Sequence, residues 1–227
     1  MARVPIVTID GPSGSGKGTI SRAVARHAGW HLLDSGALYR LVALAGLEQG
    51  LDASDVAAHA ALARSMDVSF GTEAGGGERV TLDKAVVTGE LRSEVAGAGA
   101  SRVAAWPEVR DALLARQHAF ARAPGLVADG RDMGTVVFPQ ADLKIFLTAS
   151  PQERAQRRYK QLKDKGSDVS LAALSREIAE RDRRDTTRTV SPLKPAPDAE
   201  VIDSTGLMIE QVVDRVLDAG RRRSLWV

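Results

Sequence analysis

One stretch limits this chain more than any other: Gly11-Pro12-Ser13-Gly14-Ser15-Gly16-Lys17-Gly18-Thr19. A short apolar, β-branched run, residues 4–9, leads into it. Small and branched apolar residues at helical spacing follow, Ile20, Ala23, Val24 and Ala28, and stop at Gly29. A buried strand, a glycine-rich loop and a helix are expected in that order. Gly11, Gly14 and Gly16 let the backbone wrap tightly and turn successive N–H groups inward. Those groups and the positive end of the following helix suit an anionic phosphate. Lys17 then reaches the β- and γ-phosphates of a nucleoside triphosphate. In the usual phosphate-loop pattern Ser or Thr directly follows the lysine. Here Gly18 precedes Thr19, which weakens direct magnesium ligation by that hydroxyl.

The strand–helix unit repeats. Residues 30–33 read as a second strand interrupted at Asp34-Ser35-Gly36, and Leu38, Leu41, Val42 and Ala45 give a helical stripe ending at Gly46 or Gly50. Further strands are expected at residues 126–128, 143–148 and 201–202. Ser150-Pro151 reads as the cap and first residue of a helix, and another helix runs from about Met208 to Leu217. Alternating β and α units imply a mostly parallel sheet wrapped by helices. Residues 66–88 break the rhythm: residues 68–70, 80–82 and 85–87 are strand-like, with turn-rich 71–78 and Asp83-Lys84 between them. This reads as a small antiparallel β insertion, with Gly75-Gly76-Gly77 as a hairpin tip rather than a phosphate site.

Composition removes whole classes of function. With 44% hydrophobic and 26% charged residues over 227 positions, the chain can bury a core and is not disordered. It has no cysteine, which excludes disulfides, thiolate metal sites and cysteine nucleophiles. Lys and Arg total 31 against 29 Asp and Glu, too even a balance for a nucleic-acid sleeve, and 4% aromatic content argues against base-stacking platforms. No apolar run approaches the ~18 residues of a membrane span, so a cytoplasmic protein that binds neither nucleic acid nor membrane is expected. No coiled-coil heptad is present, and a monomer is expected. The sequence also lacks the Asn-Lys-x-Asp of guanine readers and the Leu-Ser-Gly-Gly-Gln of transporter ATPases. Arginines instead cluster beside acidic or small polar residues at strand–helix junctions: Asp34-Ser35 with Tyr39-Arg40, Asp129-Gly130-Arg131-Asp132, and residues 181–188. A second anionic ligand explains that clustering.

These stretches resemble those of the bacterial cytidylate kinase family, nucleoside monophosphate kinases. The resemblance is carried by IDGPSGSGKGT from Ile9, LLDSGALYR from Leu32, TGELRSEV from Thr88, SRVAAWPEVR from Ser101, VADGRDMGTVVFP from Val127, KIFLTAS from Lys144 and RDRRDTTRTVSPL from Arg181. It implies an α/β P-loop kinase fold: a five-stranded parallel core formed by residues 1–65 and 101–227, a monophosphate-binding insertion over 66–100, and a helical lid over about 152–185. The implied reaction passes the γ-phosphoryl of ATP, bound with Mg2+, to CMP or dCMP. The implied ATP site is Gly11, Pro12, Ser13, Gly14, Ser15, Gly16, Lys17, Gly18 and Thr19. The implied CMP site is Ser35, Arg40, Ser101, Arg110, Arg131, Asp132, Arg181, Asp185 and Arg188. Within it, Asp132 accepts from the cytosine amine, Arg110 donates to O2 and N3 with Ser101 completing the pocket, and Ser35, Arg40, Arg131 and Arg188 hold the phosphate. Asp185 and Arg181 face the ribose. Lys17, Arg131, Arg188 and Arg157 would act on the transferring phosphoryl group, and Asp129 would hold the metal through water.

Two rivals stay open at this level. A kinase for uridylate, adenylate or a non-nucleotide alcohol differs only in the acceptor pocket. A nucleic-acid binder would use the basic helix of residues 153–165 and the tail Arg221-Arg222-Arg223. That helix is either a solvated face or a lid that closes Arg157 over the triphosphate and excludes water. The four histidines, His27, His31, His59 and His118, form no acid–base constellation and read as structural or exposed.

Overall fold

A computed structural model describes residues 3–72, 78–164 and 166–226. The hairpin tip at residues 75–77 and Lys165 of the basic helix lie outside the described residues. In chain order the elements are β1 (Ile6–Asp10), α1 (Lys17–Ala28), β2 (His31–Asp34), α2 (Ser35–Glu48), α3 (Val56–Ser65), β3 (Val68–Thr72), β4 (Glu78–Leu82), β5 (Ala85–Val86), α4 (Thr88–Leu91), α5 (Glu94–Val103), α6 (Pro107–His118) and β6 (Leu126–Gly130). A π-turn (Met133–Val137) follows, then β7 (Leu143–Thr148), α7 (Pro151–Lys163), α8 (Leu171–Thr187), β8 (Glu200–Asp203) and α9 (Ile209–Arg221). The chain divides into two compact units: one runs to Asp34 and resumes at His118, and the other is Ser35–Gln117.

The first unit is built on a five-stranded sheet in the order β2-β6-β1-β7-β8. Every neighbouring pair is parallel. β1, directly before the glycine loop, lies between β6 and β7. Side chains alternate across a strand, and β1 uses that alternation to separate packing from chemistry. Val7 and Ile9 enter an apolar layer with Ile20 and Val24 of α1, Ile145 and Leu147 of β7, and Val212 and Val216 of α9. On the opposite face stand Thr8 and Asp10, both buried polar residues. There the π-turn covers them: a Cβ added to Gly134 would come within 2.8 Å of Thr8 Oγ1 and 3.2 Å of Lys144 Cδ. Ser150 caps α7 as its sequence implied, its hydroxyl accepting the Glu153 N–H at 3.2 Å, with Pro151 as the first helical residue.

In the second unit α2 packs closely on α5, where a Cβ on Gly99 would lie 2.7 Å from that of Ala43. The small antiparallel sheet is present in the order β3-β4-β5, with Val68 opposite Leu82 and Leu82 opposite Ala85. The β4–β5 hairpin turns on Asp83 and Lys84, both at positive φ (48° and 74°), as a two-residue turn that follows the strand twist requires.

Two local features depart from the sequence reading. Asp34-Ser35-Gly36 is no interruption, because β2 ends at Asp34 and α2 begins at Ser35. The π-turn also went unseen, since its cause is remote: Asp10, 123 residues earlier, accepts the Met133 and Gly134 N–H groups through its two carboxylate oxygens, each at 2.8 Å.

Candidate active site

The glycine loop lies between the end of β1 and the start of α1, as its sequence implied. Gly11, Gly14 and Gly16 have φ of 153°, 78° and 93°. Gly11 is needed for space as well, because a Cβ there would sit 2.0 Å from the Leu147 carbonyl oxygen. Within the loop the Ser15 hydroxyl and the Lys17 ammonium both donate to the Pro12 carbonyl at 3.0 Å. Pro12 and Ser15 are buried, Gly18 is half-buried and Thr19 is exposed. A side chain on Gly18 would begin 3.2 Å from Asp129 Oδ2. The glycine in the position usually held by Ser or Thr therefore leaves Asp129 unobstructed.

Asp129 is next to last in β6, in register with Ile9 of β1 and Asp34 of β2. Burial pushes its carboxyl up to about 7; Lys17 and Arg131 oppose that, while Asp34 and Asp10 add to it. Burial likewise pulls the Lys17 ammonium down to about 7, with Arg131 and Arg181 acting in the same direction and Asp129 and Asp34 against it. Asp10 rises to about 7 for the same principal reason, despite its two backbone hydrogen bonds. The ends of β1 and β6 thus gather groups that exchange protons near neutrality, a feature concentrated at functional sites. Among the described residues no cluster of three or more His, Asp or Glu is arranged to hold a metal ion.

The arginines assigned to an anion divide between the units. In the first, Arg131 Nε donates to Asp185 Oδ2 at 2.9 Å, and both side chains are largely buried. Burial raises Asp185, but the charge and hydrogen bond of Arg131, with Arg181 and Arg188, outweigh it and leave the carboxyl below its ordinary value. Arg188 donates to the Ser191 carbonyl. Arg181 Nη1 reaches Ser13 Oγ at 3.4 Å, so α8 touches the glycine loop. Asp132 is buried at the start of the π-turn. In the second unit the Ser35 hydroxyl donates to Gln117 Oε1 at 3.0 Å, and Arg40 donates to the Leu91 carbonyl at 2.9 Å. Arg110, also buried, lies over the Tyr39 ring at 5.8 Å and donates to the Ala104 carbonyl at 3.3 Å. The Ser101 hydroxyl is buried with no hydrogen-bond partner among the described residues.

α7 does not present a uniform solvated face. Arg154 is buried, whereas Lys163 pairs with exposed Asp168 at 3.2 Å. Arg157 turns to the loop and to the residues after β8, donating to Ser204 Oγ at 3.0 Å, the Ser204 carbonyl at 2.6 Å and the Ser15 carbonyl at 3.4 Å. Sequence reasoning passed over Asp10, Asp182 and Ser204. Asp10 left a local signal, a charged residue sharing with Thr8 the parity opposite to Val7 and Ile9, and Asp182 lay unassigned within the cluster at residues 181–188. Of the histidines, His31, His59 and His118 each meet a backbone carbonyl. The arginine tail pairs with Asp218 and Glu200.

Comparison with known proteins agrees with the sequence motifs. The family model for cytidylate kinase matches residues 7–222. The cytidylate kinase of Pseudomonas savastanoi pv. phaseolicola (strain 1448A / Race 6) is 61% identical over 216 residues, covering 95% of this chain and 94% of the relative. That of Shewanella denitrificans (strain OS217) is 59% identical over 217 residues, covering 95% and 96%. That of Stutzerimonas stutzeri (strain A1501) is 59% identical over 223 residues, covering 98% and 97%. A phosphate loop at the head of a parallel sheet, buried arginines beside it and this likeness along nearly the whole chain have one reading: the protein is a nucleoside monophosphate kinase, a phosphotransferase of the cytidylate kinase family.

Proposed function

We propose that this enzyme transfers the γ-phosphoryl group of ATP to CMP or dCMP, giving ADP and CDP or dCDP. The observation that carries the residue assignment is the first unit's own construction. Its glycine loop, Lys17, Arg131, Arg181, Asp185 and Arg188 occupy one compact body, joined by the Arg131–Asp185 and Arg181–Ser13 contacts. The amides from Gly11 to Thr19 and Lys17 hold the triphosphate. Arg131, Arg188 and Arg157 neutralise the charge of the transferring group, after Arg157 leaves Ser204. Phosphoryl transfer has a loose transition state and an acceptor that is already an anion, so positioning and charge neutralisation suffice without a strong general base.

Arg131 and Arg188 serve the CMP phosphate with Ser35 and Arg40, and Asp185 with Arg181 serves the ribose. Asp132 accepts from the cytosine amine, while Arg110 and Ser101 address its acceptor edge. The Ser101 hydroxyl, buried and without a hydrogen-bond partner among the described residues, suits that role. Residues 66–100 form the monophosphate-binding insertion, and α7 with α8 the lid.

Mg2+ accompanies ATP. The register-paired carboxylates Asp129 and Asp34 fit an ion that keeps most of its water and takes one or two carboxylates besides phosphate oxygens. Asp129 would hold it through water. Bound there, the ion would neutralise phosphate charge. Coupled ADP release across the nucleoside monophosphates tests the assignment: CMP and dCMP should be phosphorylated and UMP handled far more poorly. Comparable kcat/KM for UMP would refute the cytosine assignment.

A further inference from the structure

Arg154 is buried one turn into α7, and its guanidinium joins three separate parts of the first unit. Nε donates to the Ala149 carbonyl, just past β7, at 3.0 Å. Nη1 donates to the Ser13 carbonyl of the glycine loop at 3.1 Å and to Asp182 Oδ1 at 3.0 Å, and Nη2 donates to Asp182 Oδ2 at 2.6 Å. The loop is fitted to this arrangement, since a Cβ on Gly14 would lie 3.1 Å from that of Arg154. A trans peptide points its C=O and the following N–H in opposite directions. Holding the Ser13 oxygen therefore fixes the Gly14 N–H on the side of the loop facing away from Arg154. Asp182 stands on α8 between Arg181, which reaches Ser13 Oγ, and Asp185, which holds Arg131.

We infer that Arg154, gripped by Asp182, is a positioning residue for both substrates: it orients the Ser13–Gly14 peptide of the triphosphate loop and ties the acceptor-binding face of α8 to that loop, touching neither nucleotide. The inference rests on the reading of loop and α8 given above. A planar fork is required, because an ammonium has three donors and cannot serve the Ala149 and Ser13 carbonyls and both Asp182 oxygens together.

A purely structural ion pair is the alternative, and removing both charges separates the two. Replacing a buried pair by apolar residues is often neutral or stabilising, whereas removing one partner strands a charge. The double variant Arg154→Met/Asp182→Leu should therefore melt near the wild type. We expect its kcat/KM to fall about 10- to 100-fold for both ATP and CMP, the size of loss that misplacement by ~1 Å produces. Asp182→Asn, which retains the arginine on Ser13, should raise KM for CMP more than KM for ATP. Arg154→Lys should fall short of rescuing either. ATP affinity, measured by equilibrium titration without acceptor, should fall in the double variant. A double variant with wild-type kcat, both KM values and ATP affinity overturns the inference. Failure of the functional reading shows separately, as wild-type protein that releases no ADP with CMP; the ATP titration still decides the loop half of the inference.

Discussion

Replacing Asp10 with Asn sets two opposing effects against each other in a way that pH resolves. The carboxylate accepts the Met133 and Gly134 N–H groups at 2.8 Å each. Asparagine offers one oxygen, so one buried donor faces the amide NH2 and loses its acceptor, costing about 1–3 kcal/mol. Against this stands the burial of a charge: Asp10 is raised from 3.8 to about 7. A carboxyl so raised contributes stability that is fully present below pH 4, declines through the interval and is gone above about pH 7. The slope is about 1.4 kcal/mol per pH unit, or about 4 kcal/mol over the whole interval. Asparagine does not titrate, so Asp10→Asn should destabilise most at the acid end. Because the wild type's loss of about 4 kcal/mol exceeds the acceptor's cost of about 1–3 kcal/mol, the difference should fall with pH, pass through zero and leave the variant the more stable by pH 7–8. Asp129 titrates over the same range in both proteins and cancels to first order. Urea unfolding of the two proteins at half-unit pH steps from 4.5 to 8 reads the difference directly. A difference that is flat, or that grows with pH, refutes the reasoning.

Other outcomes follow from the same geometry. At pH 8, ATP binding should draw up to about one proton from the buffer, because phosphate charge raises the Lys17 ammonium above its value of about 7. Calorimetry in two buffers of different ionisation enthalpy measures this, and Lys17→Met should abolish both the uptake and turnover while leaving the fold intact. Gly14→Ala combines a φ of 78° with the 3.1 Å approach to Arg154 and should cost about 1–3 kcal/mol in thermal unfolding. Gly29→Ala, at φ 67° with nothing near its Cβ, should fall at the lower end of that range, around 1 kcal/mol. Asp185→Asn should raise KM for CMP, and it should also remove a stabilisation that the wild type loses as pH falls, Asp185 being depressed by Arg131. Melting curves from pH 7 down through the acid range test the sign: the variant should lag at pH 7 and still at pH 4, and the gap should narrow only as pH falls below the ordinary carboxylate value of 3.8.

Local periodicity and turn chemistry carried most of the architecture in the sequence. β1, the loop and α1 follow from an apolar run, spaced glycines and a helical stripe, and the Ser150-Pro151 start of α7 from capping alone. The antiparallel sheet is legible because Asp83-Lys84 separates two β-branched runs. What stayed hidden depends on partners distant in the chain. Arg154 belongs to a helix whose two other arginines are half-buried and whose lysines are exposed, and only Asp182, 28 positions on, and Ser13, 141 positions back, explain its burial. The π-turn needs a carboxylate from β1. Arg157 is on the expected helix, yet its partner Ser204 follows β8, an element whose place beside β7 no spacing rule supplies.

The pairing of β1 with β6 has an evolutionary corollary. Ile9 lies opposite Asp129 and Asp10 opposite Gly130, so the sheet works as a ruler that starts two loops from a common mark. Inserting or deleting a single residue within either strand would turn Asp129 or Asp10 to the reverse side, leaving the letter in the text but its carboxyl off its station. Descendants of this chain are therefore freer to respell these strands than to lengthen or shorten them, and gaps should collect in the connections instead.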